Sequence, residues 1–406
     1  MEQFVNLHVH TAVGSLLDSI LTVPEMVEFA AQNHQPAIAV TDHGKMSSFV
    51  DVVKACNKKN IKPIIGCEVY EVDDQTFKND TKDYKQPRYH LVLLAKNHQG
   101  LLNLFKIVSN ACIDGMYKKP RTSLDIIKQN DWGKGIICLT ACQVGRLSTL
   151  LVAGEKEQAK VAYKRFEAIF DSVFVEIQSH NTPSQAEANA AIAEFINQYQ
   201  LPHVITTDAH MLSAKDHDAH SIFVKIGEGR EPGESYTDCY LQTAEDVYRI
   251  LGSQFSHDFV QQGIVNTVKV AELIENIDIG LDHPNQMPEV KINGNFKSHL
   301  DYLRYLVYST FQQKFGHMSE QEQQIRRDRI EMELDVLAYV DYIDYFIILY
   351  MLCQEADKRG IPRGYSRGSG ANCLCLFMLN VTQIDSVRWD LDFSRFANKG
   401  RKSLAD

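Results

Sequence analysis

The chain has 406 residues, with 52 acidic side chains against 42 Lys and Arg, which gives a formal net charge of −10. Hydrophobic residues make up 44% and charged residues 23% of the chain, a balance typical of globular domains that excludes a disordered tail, a collagen and a coiled-coil rod. The acidic balance also argues against a basic nucleic-acid coat protein, because phosphate affinity requires clustered Lys and Arg.

The cysteines and the apolar runs indicate the compartment. The nine cysteines are odd in number and form no CxxC pair, so neither a disulfide framework nor a zinc ribbon is predicted. The first residues lack the basic and apolar regions of a signal peptide. The longest apolar runs, Tyr345–Cys353 and Cys373–Asn380, are too short to span a bilayer. We therefore expect a soluble cytoplasmic protein with reduced thiols and no membrane partner.

The first 210 residues alternate short apolar runs with longer segments of helical period. Seven runs are candidate strands: Phe4–His10, Ala37–His43, Lys62–Tyr70, His90–Ala95, Gly135–Cys142, Val173–Gln178 and His203–His210. Capping boxes at Thr22–Glu25 and Ser184–Glu187 mark the starts of two intervening helices. The alternation predicts a parallel sheet covered by helices, and seven units favour an α/β barrel or a barrel-like fold.

The character of the chain changes near residue 275. Residues 276–298 are rich in Asn, Pro, Gly and His and are predicted to be a linker. Helices are predicted over His299–Phe315, Glu320–Ala338 and Asp344–Lys358, before a glycine-rich turn. The basic run 326–329 is predicted to be a solvated helix face. The predicted domains are therefore 1–275, the linker, and 299–406.

Side chains that bind metals cluster at the ends of the predicted strands. His8 and His10 are two residues apart, and Asp208 and His210 repeat that spacing. The period of two in a strand places both members of each pair on one face. Further candidates lie at or after the other strands: Asp18, Asp42, His43, Glu68, His90 and Cys142. If the strands form one barrel, most of these groups converge at one rim.

This mixture of imidazoles, carboxylates and a thiolate suits Zn²⁺, Mn²⁺ or Fe. These candidates are too many for one tetrahedral ion, so two or three metals with a bridging carboxylate are predicted. The corresponding chemistry is activation of water for attack on a phosphorus centre. Cys142 is preferred to Cys138 because it is nearer the strand end, and lone histidines such as His203 and His220 are predicted to be surface or satisfied core residues.

The motifs that carry these candidates resemble a known family. They are Asn6–Thr11, Ser15–Asp18, Thr41–Gly44, Gly66–Tyr70, His90–Asn97, Thr140–Cys142 and Thr207–His210. They resemble the PHP (polymerase and histidinol phosphatase) domain that opens the bacterial DNA polymerase III alpha subunit, a family C polymerase. Four later motifs resemble the start of its palm: Glu333–Leu337, Asp344–Phe346, Arg367–Ala371 and Arg395–Asn398. The resemblance implies a seven-stranded (β/α)7 PHP barrel followed by a partial α+β palm domain.

The resemblance also implies three metal sites. The implied ligands are His8, His10, Glu68 and Asp208 for the first, the bridging Glu68 with His90 and Cys142 for the second, and Asp18, His43 and His210 for the third. In the family a complete ligand set accompanies 3′–5′ exonuclease or phosphoesterase activity, whereas an eroded set accompanies a structural role. We therefore expect this domain to bind Zn²⁺ or Mn²⁺, with Fe as an alternative.

The glycine-rich turn resembles a phosphate site of the palm. Successive backbone N–H groups in such a turn form an anion nest. Gly368 and Ser369 are predicted to hold the triphosphate of a dNTP, and Arg367 and Arg395 to contact phosphate. The alternative is a turn that only caps a helix, and the flanking motifs favour phosphate binding.

Asp406 matches the first catalytic aspartate of the palm. The two further aspartates that the resemblance implies for the Mg²⁺ site are not in the sequence, and nucleotidyl transfer needs carboxylates on both ions. We therefore expect that this chain does not polymerise DNA alone. Either a C-terminal polymerase fragment completes it in trans, or it is a truncated reading frame.

Two other functions remain open. One is a stand-alone PHP phosphoesterase that acts on DNA ends or small phosphate esters. The other is a non-catalytic, metal-stabilised scaffold that docks other replication proteins.

Overall fold

The computed structural model describes residues 2–81, 84–228, 237–281, 288, 290–292 and 294–400. The chain forms two compact units, Met1–Leu281 and Asp282–Asp406. Among the described residues no single helix is long and apolar enough to span a membrane. The successive helices Glu320–Tyr339 and Ile343–Lys358 are long and apolar enough only when they are taken together, and the chain bends by 114° between them.

The described part of the first unit contains one curled sheet. Its strands are β1 (Ala37–Val40), β2 (Lys62–Val72), β3 (Tyr89–Ala95), β4 (Met116–Tyr117), β5 (Lys119–Ser123), β6 (Ile136–Leu139), β7 (Ser172–Gln178) and β8 (His203–Thr206). The pairing order runs β1, β2, β3, β6, β7, β8, and β5 pairs with the C-terminal part of β2. The short strands β4 and β5 form a hairpin that the sequence pattern did not predict.

All strand pairs are parallel except the β4–β5 hairpin and the two pairs that β3 forms. β3 runs antiparallel to β2, where Glu68 lies opposite Val92, and antiparallel to β6, so the prediction of an all-parallel sheet is wrong at β3. The described part of the β2–β3 connection contains no helix. Because a parallel connection needs a long crossover, strands joined without one run antiparallel.

The first predicted strand, Phe4–His10, closes the sheet without forming a regular strand. The backbone N–H of Ala39 donates to Asn6 O, and that of His10 donates to Ala209 O. The ladder is interrupted because the N–H of Val9 donates to the Thr41 hydroxyl. The segment therefore bridges β1 and the end of β8, and the predicted α/β fold class with a curled, barrel-like sheet is confirmed.

Ten α-helices are described in the first unit. They are α1 (Val23–Gln32), α2 (Phe49–Lys59), α3 (His98–Ile113), α4 (Leu124–Gln129), α5 (Arg146–Val152), α6 (Lys156–Glu167), α7 (Pro183–Tyr199), α8 (His217–Glu228), α9 (Ala244–Leu251) and α10 (His257–Leu273). The capping box of Thr22 and Glu25 is confirmed at α1. The capping box predicted at Ser184 is wrong, because the residue that caps α7 is Thr182, two positions earlier. The Thr182 side chain accepts from the N–H of Gln185, and Pro183 suits the first turn of the helix.

The inside of the curled sheet is apolar at one end and polar at the other. Alternate residues of several strands point inward and pack together: Ala37, Ala39, Ile64, Val92, Leu94, Ile137, Leu139 and Val204. Val270, Ala271 and Ile274, in and just after α10, belong to the same cluster. Continuing these inward rows by steps of two leads to Glu68, His90 and Asp208. The apolar half thus holds the strands in place beneath the polar end.

The second unit is helical in its described part. Its α-helices are α11 (His299–Ser309), α12 (Phe311–Phe315), α13 (Glu320–Tyr339), α14 (Ile343–Lys358) and α15 (Leu374–Met378), and short 3-10 helices lie at Gly368–Asn372 and Phe393–Arg395. No strand occurs among its described residues. Of the predicted α+β palm, the described residues therefore show only the helical part. The predicted helix His299–Phe315 is interrupted at Thr310, where α11 ends and α12 begins.

The basic run of α13 is not simply a solvated face. Arg326 is buried and pairs with Asp385 at 2.8 Å. Arg329 donates to the buried Glu333 at 2.7 Å and to the backbone oxygens of Asn372 and Leu391. The prediction therefore fails for these two arginines, because long side chains on α13 reach loops that come much later in the sequence.

Candidate metal centre

Glu68, at the centre of the polar end, contacts four imidazoles. Its Oε1 lies 2.9 Å from Nδ1 of His90 and 3.4 Å from Nε2 of His8. Its Oε2 lies 2.6 Å from Nδ1 of His43 and 3.7 Å from Nε2 of His10. Because its two oxygens face different histidines, Glu68 has the geometry of a bridging carboxylate.

Asp208 and Asp18 extend this cluster on either side. Asp208 Oδ1 lies 3.1 Å from Nε2 of His10 and 3.3 Å from Nε2 of His8. Asp18 Oδ2 lies 2.9 Å from Nε2 of His43 and 3.8 Å from Nε2 of His210. The ligands predicted from the pair His8 and His10 and from the pair Asp208 and His210 thus lie in one group.

Cys142 completes the set at the other edge. Its Sγ lies 3.6 Å from Nδ1 of His90. Cys138, the alternative considered above, instead packs in the apolar core. The structure therefore brings together all nine predicted metal-ligand residues, and their role as ligands stays a prediction.

Several buried polar atoms of the site contact one another without forming proper hydrogen bonds. Among the described residues, five buried atoms of this cluster make ion-pair contacts but no hydrogen bond of good geometry: His8 Nε2, His10 Nε2, His43 Nδ1, Glu68 Oε2 and Asp208 Oδ1. Buried polar groups are otherwise almost always paired. Three combinations of donors lie within 4.8 Å of one another: His10 with His43 and His210, His8 with His10 and Glu68, and His43 with Glu68 and His90. A mixed N, O and S donor set of this kind fits divalent metal ions.

The carboxylates and imidazoles of the cluster shift one another's pKa values. Burial, the largest influence, acts to raise the pKa of Glu68, yet His90, His43 and His8 hold that pKa well below its usual range. Burial also acts to lower the pKa of His43, but Glu68 and Asp18 raise it to about 10. Burial, together with His43 and His210, holds the pKa of His10 well below the usual value. A neutral His10 offers the lone pair that a metal requires.

Residues behind the ligands orient them. The Nδ1–H of His8 donates to Glu176 Oε1 at 2.6 Å. The Nδ1 of His10 lies 3.1 Å from Ser15 Oγ, whose hydroxyl donates to Asp42, so this Nδ1 carries the proton. Both contacts leave Nε2 free to face the cluster, which is how carboxylates and hydroxyls usually fix metal-binding imidazoles.

Several of these supporting residues were missed from the sequence. Glu176 and Gln178 lie on β7, and Gln178 donates to Asp208 Oδ2 at 3.1 Å. The sequence does contain a signal for them, because Glu176, Gln178 and His180 place a polar residue at every second position of an otherwise apolar segment. His220, predicted to be a surface or satisfied core residue, is buried, and its Nε2 lies 2.6 Å from the backbone oxygen of Asp18. It therefore supports the loop that carries Asp18.

Part of the cluster lines an open cleft of about 440 Å³. The candidate ligands that line it are Asp18, His43, His90, Cys142, Asp208 and His210, and Tyr70, Arg88, Lys119 and Gln143 line it as well. A cleft of this size admits a phosphate ester together with neighbouring groups.

The predicted phosphate-binding residues lie in the second unit. Gly368 has a φ of +62°, a conformation that favours glycine, and it begins the 3-10 helix that contains Ser369. That helix contacts the one that contains Arg395, and Arg367, Ser369 and Arg395 are exposed. Their role in nucleotide binding stays a prediction. Asp406 lies outside the described residues.

Two domain families match the chain. Residues 6–180 match the PHP domain. Residues 301–406 match the bacterial DNA polymerase III alpha NTPase domain.

Curated relatives align with nearly all of the chain. The DNA polymerase III subunit alpha of Treponema pallidum is 32% identical over 412 residues, which cover 99% of this chain and 34% of that protein. The subunit of the same name from Aquifex aeolicus is 29% identical and covers 100% of this chain and 36% of its own length. The chain thus spans about a third of the length of the curated relatives it matches.

Solved structures match only the fold, and weakly. An amidohydrolase from Chromobacterium violaceum with bound sulfate aligns at 15% identity and a TM-score of 0.34, over 51% of this chain and 88% of that one. A two-domain protein from Bacteroides vulgatus with a predicted PHP-like metal-dependent phosphoesterase aligns at 14% identity and a TM-score of 0.32, over 56% of each chain.

Proposed function

We propose that this chain, a member of the bacterial DNA polymerase III alpha subunit family, supplies that polymerase with a metal-dependent phosphoesterase that removes nucleotides from DNA 3′ ends. The observation that carries the proposal is the convergence of eight further potential ligands around the buried Glu68, in a cluster where five buried polar atoms make no hydrogen bond of good geometry.

The proposed ligand sets follow the observed contacts. His8, His10, Glu68 and Asp208 would hold one ion, Glu68, His90 and Cys142 a second, and Asp18, His43 and His210 a third. We propose Zn²⁺ or Mn²⁺, with Fe as an alternative, because all of them accept this donor set. When bound, such ions polarise a phosphoryl oxygen and activate water for attack on phosphorus.

The residues of the chain contribute orientation and charge. Glu176 and Ser15 hold the protons of His8 and His10 on the nitrogens that face away from the cluster. Gln178 restrains Asp208. The carboxylates and imidazoles of the cluster pack closely together, so a phosphodiester would reach them through the cleft.

The test is hydrolysis of end-labelled DNA by the metal-free protein after Mn²⁺ or Zn²⁺ is restored. We expect shortening from the 3′ end by the wild type and little or none by His10→Ala. The matched control is His98→Ala, since His98 is an exposed histidine at the start of α3. Equal cleavage by wild type and His10→Ala would overturn the proposal.

Two other outcomes identify the alternatives. Hydrolysis of p-nitrophenyl phosphate without cleavage of DNA would indicate a phosphatase of small esters. Metal binding that raises the melting temperature without hydrolysis of any phosphate ester would indicate the structural scaffold.

For the second unit we propose participation in DNA synthesis in the cytoplasm. Its proposed partners are DNA, a dNTP at Arg367, Gly368, Ser369 and Arg395, a C-terminal polymerase fragment that completes the Mg²⁺ site with Asp406 in trans, and other replication proteins. The match of residues 301–406 to the polymerase family supports this. Co-expression with polypeptides that carry the remaining aspartates, followed by co-purification and a nucleotide incorporation assay, tests it. The split arrangement fails if none of them binds or restores incorporation.

A further inference from the structure

Two cations and one aromatic ring form a shelf along the wall of the metal cleft. Tyr70, Arg88 and Lys119 all line this cleft. The guanidinium carbon of Arg88 lies 5.3 Å from the centre of the Tyr70 ring, and the ammonium of Lys119 lies 5.6 Å from it. We call these three residues the cationic shelf.

The sheet places the shelf directly beside the candidate ligands. Tyr70 lies opposite His90 across the β2–β3 pair and opposite Arg121 across the β2–β5 pair. Arg88 and Lys119 each come two residues before one of these partners. Since residues two apart in extended chain share a face, both cations point to the side of Tyr70 and His90.

The Tyr70 ring connects the cations to the candidate ligands. It stacks on His43 with centroids 6.2 Å apart and meets His90 edge-on at 5.3 Å. Tyr70 is buried, whereas Arg88 and Lys119 are exposed. A ligand that reaches the metal-ligand cluster therefore passes close to two solvent-facing positive charges.

No carboxylate in the described part of the chain pairs with the charges of the shelf. Of the carboxylates that the structure describes, none lies within 4.0 Å of Arg88 or Lys119. The neighbouring basic side chains differ, because Lys118 pairs with Asp80 at 2.7 Å and Arg146 pairs with Glu71 and Asp73. In a chain with a net charge of −10, two cations that pair with no described carboxylate, beside a carboxylate-rich cluster, are suited to an anion.

We propose that Arg88 and Lys119 form an anion subsite that binds the phosphodiester next to the one hydrolysed, so that the cleft selects a nucleic-acid strand over a small phosphate ester. A substrate with one phosphate fills only the metal-ligand cluster. A strand presents a second phosphate one nucleotide away, and the shelf lies next to the cluster where this phosphate would fall. The inference rests on the proposed phosphoesterase function and deepens it by naming what recognises the strand.

The test compares two substrates of the metal-loaded full chain. One is a 5′-labelled single-stranded oligothymidylate and the other is bis(p-nitrophenyl) phosphate. For Arg88→Ala and for Lys119→Ala we expect a KM for the oligonucleotide that is roughly tenfold higher, since about 1.4 kcal/mol of lost binding corresponds to a factor of ten. The kcat for the oligonucleotide and both constants for the small diester should stay near those of the wild type.

Salt dependence and a matched variant sharpen the result. Each lost phosphate contact should reduce the slope of log KM against log salt by about 0.7 for a single strand. Lys54→Ala is the control, because Lys54 is an exposed lysine on α2 that does not line the cleft. Oligonucleotide KM values and salt slopes that match this control in both shelf variants would overturn the subsite.

Failure of the proposed function gives a different pattern. If the wild type hydrolyses neither substrate with any of the proposed metals, the phosphoesterase function fails. Fluorescence anisotropy with a fluorescein-labelled pentathymidylate in EDTA then decides the subsite. Weaker binding and a smaller salt slope in the Arg88→Ala/Lys119→Ala double variant would support it, and binding equal to that of Lys54→Ala would overturn it.

Discussion

The Nδ1 of His8 lies 2.6 Å from Oε1 of Glu176, and both side chains are fully buried. Glu176 comes from β7, and Thr206 of β8 also donates to the same carboxylate. The carboxylate thus fixes the tautomer of an imidazole that faces Glu68 and Asp208. We therefore expect this carboxylate, which lies behind the candidate ligands, to influence how well they bind metal.

Replacing this carboxylate should weaken metal binding while the fold is kept. Glu176→Gln retains the size of the side chain but removes the charge that stabilises the Nδ1–H of His8. We expect a roughly 10- to 100-fold loss of metal affinity, measured by competition with a chromogenic chelator. Glu187→Gln, an exposed position on α7, is the control. An affinity equal to that of the control would exclude an orienting role for Glu176.

Removal of metal should destabilise the first unit. Several buried polar atoms around Glu68 make no hydrogen bond of good geometry. Ions that bind to these atoms would therefore stabilise the folded state. Free metal at 100 times its Kd stabilises by about 2.7 kcal/mol, so EDTA should lower the melting temperature by several degrees. Differential scanning calorimetry measures this. His10→Ala should respond much less, and a wild-type Tm indifferent to EDTA would argue against a metal site.

Asp42 should be needed for the loop that follows the first segment. Its carboxylate accepts from the backbone N–H of Thr11 at 2.6 Å and from the hydroxyls of Ser15 and Ser48. Asp42→Asn replaces an acceptor with a donor in a buried place, which we expect to cost roughly 1–3 kcal/mol of unfolding free energy. Urea unfolding measures it, with the exposed Asp51→Asn on α2 as control. Two equal midpoints would contradict the prediction.

Glu333 should stabilise the second unit far more than an exposed neighbour on the same helix. It is fully buried, accepts from the N–H groups of Leu374 and Cys375, and pairs with Arg329. Glu333→Ala leaves these donors unsatisfied and should cost about 3–5 kcal/mol. Glu331→Ala breaks the exposed pair with Arg304 and should cost no more than about 1 kcal/mol. Similar losses in chemical denaturation would refute this difference.

His203 should make stability fall in mild acid. It is buried, stacks on Phe259 with centroids 4.3 Å apart, and donates through Nε2 to the Phe259 oxygen. Burial lowers its pKa below the usual 6.5. The unfolded chain therefore takes up the proton first as pH falls, so stability is fully present above pH 6.5 and is lost as pH falls from there through the folded pKa.

His203→Gln keeps a donor for Phe259 but does not titrate. Comparing the unfolding free energy of both proteins from pH 7.5 to 5, with EDTA present throughout, isolates this contribution from that of the other histidines. The wild type should lose more stability over this range than the variant. Parallel curves would show that His203 does not contribute to the pH dependence.

The sequence by itself determined the α/β class and the residue types of the site. The spacing of two between His8 and His10, and between Asp208 and His210, depends only on the period of an extended chain. Local signals such as the capping box at Thr22 are also decided within a few residues. For this reason they could be read without knowing the fold.

The tertiary structure decided which groups meet. His90 opens β3, and in an all-parallel sheet it would lie at the rim opposite to Glu68. Because β3 is antiparallel, His90 instead lies opposite Tyr70 and contacts Glu68 at 2.9 Å. Strand direction depends on the length and course of a connection and on pairing with distant strands, which no local pattern encodes. The partnership of His8 with Glu176, 168 residues away, and the burial of Arg326 against Asp385 arise in the same way, since both are contacts that form only when remote segments pack together.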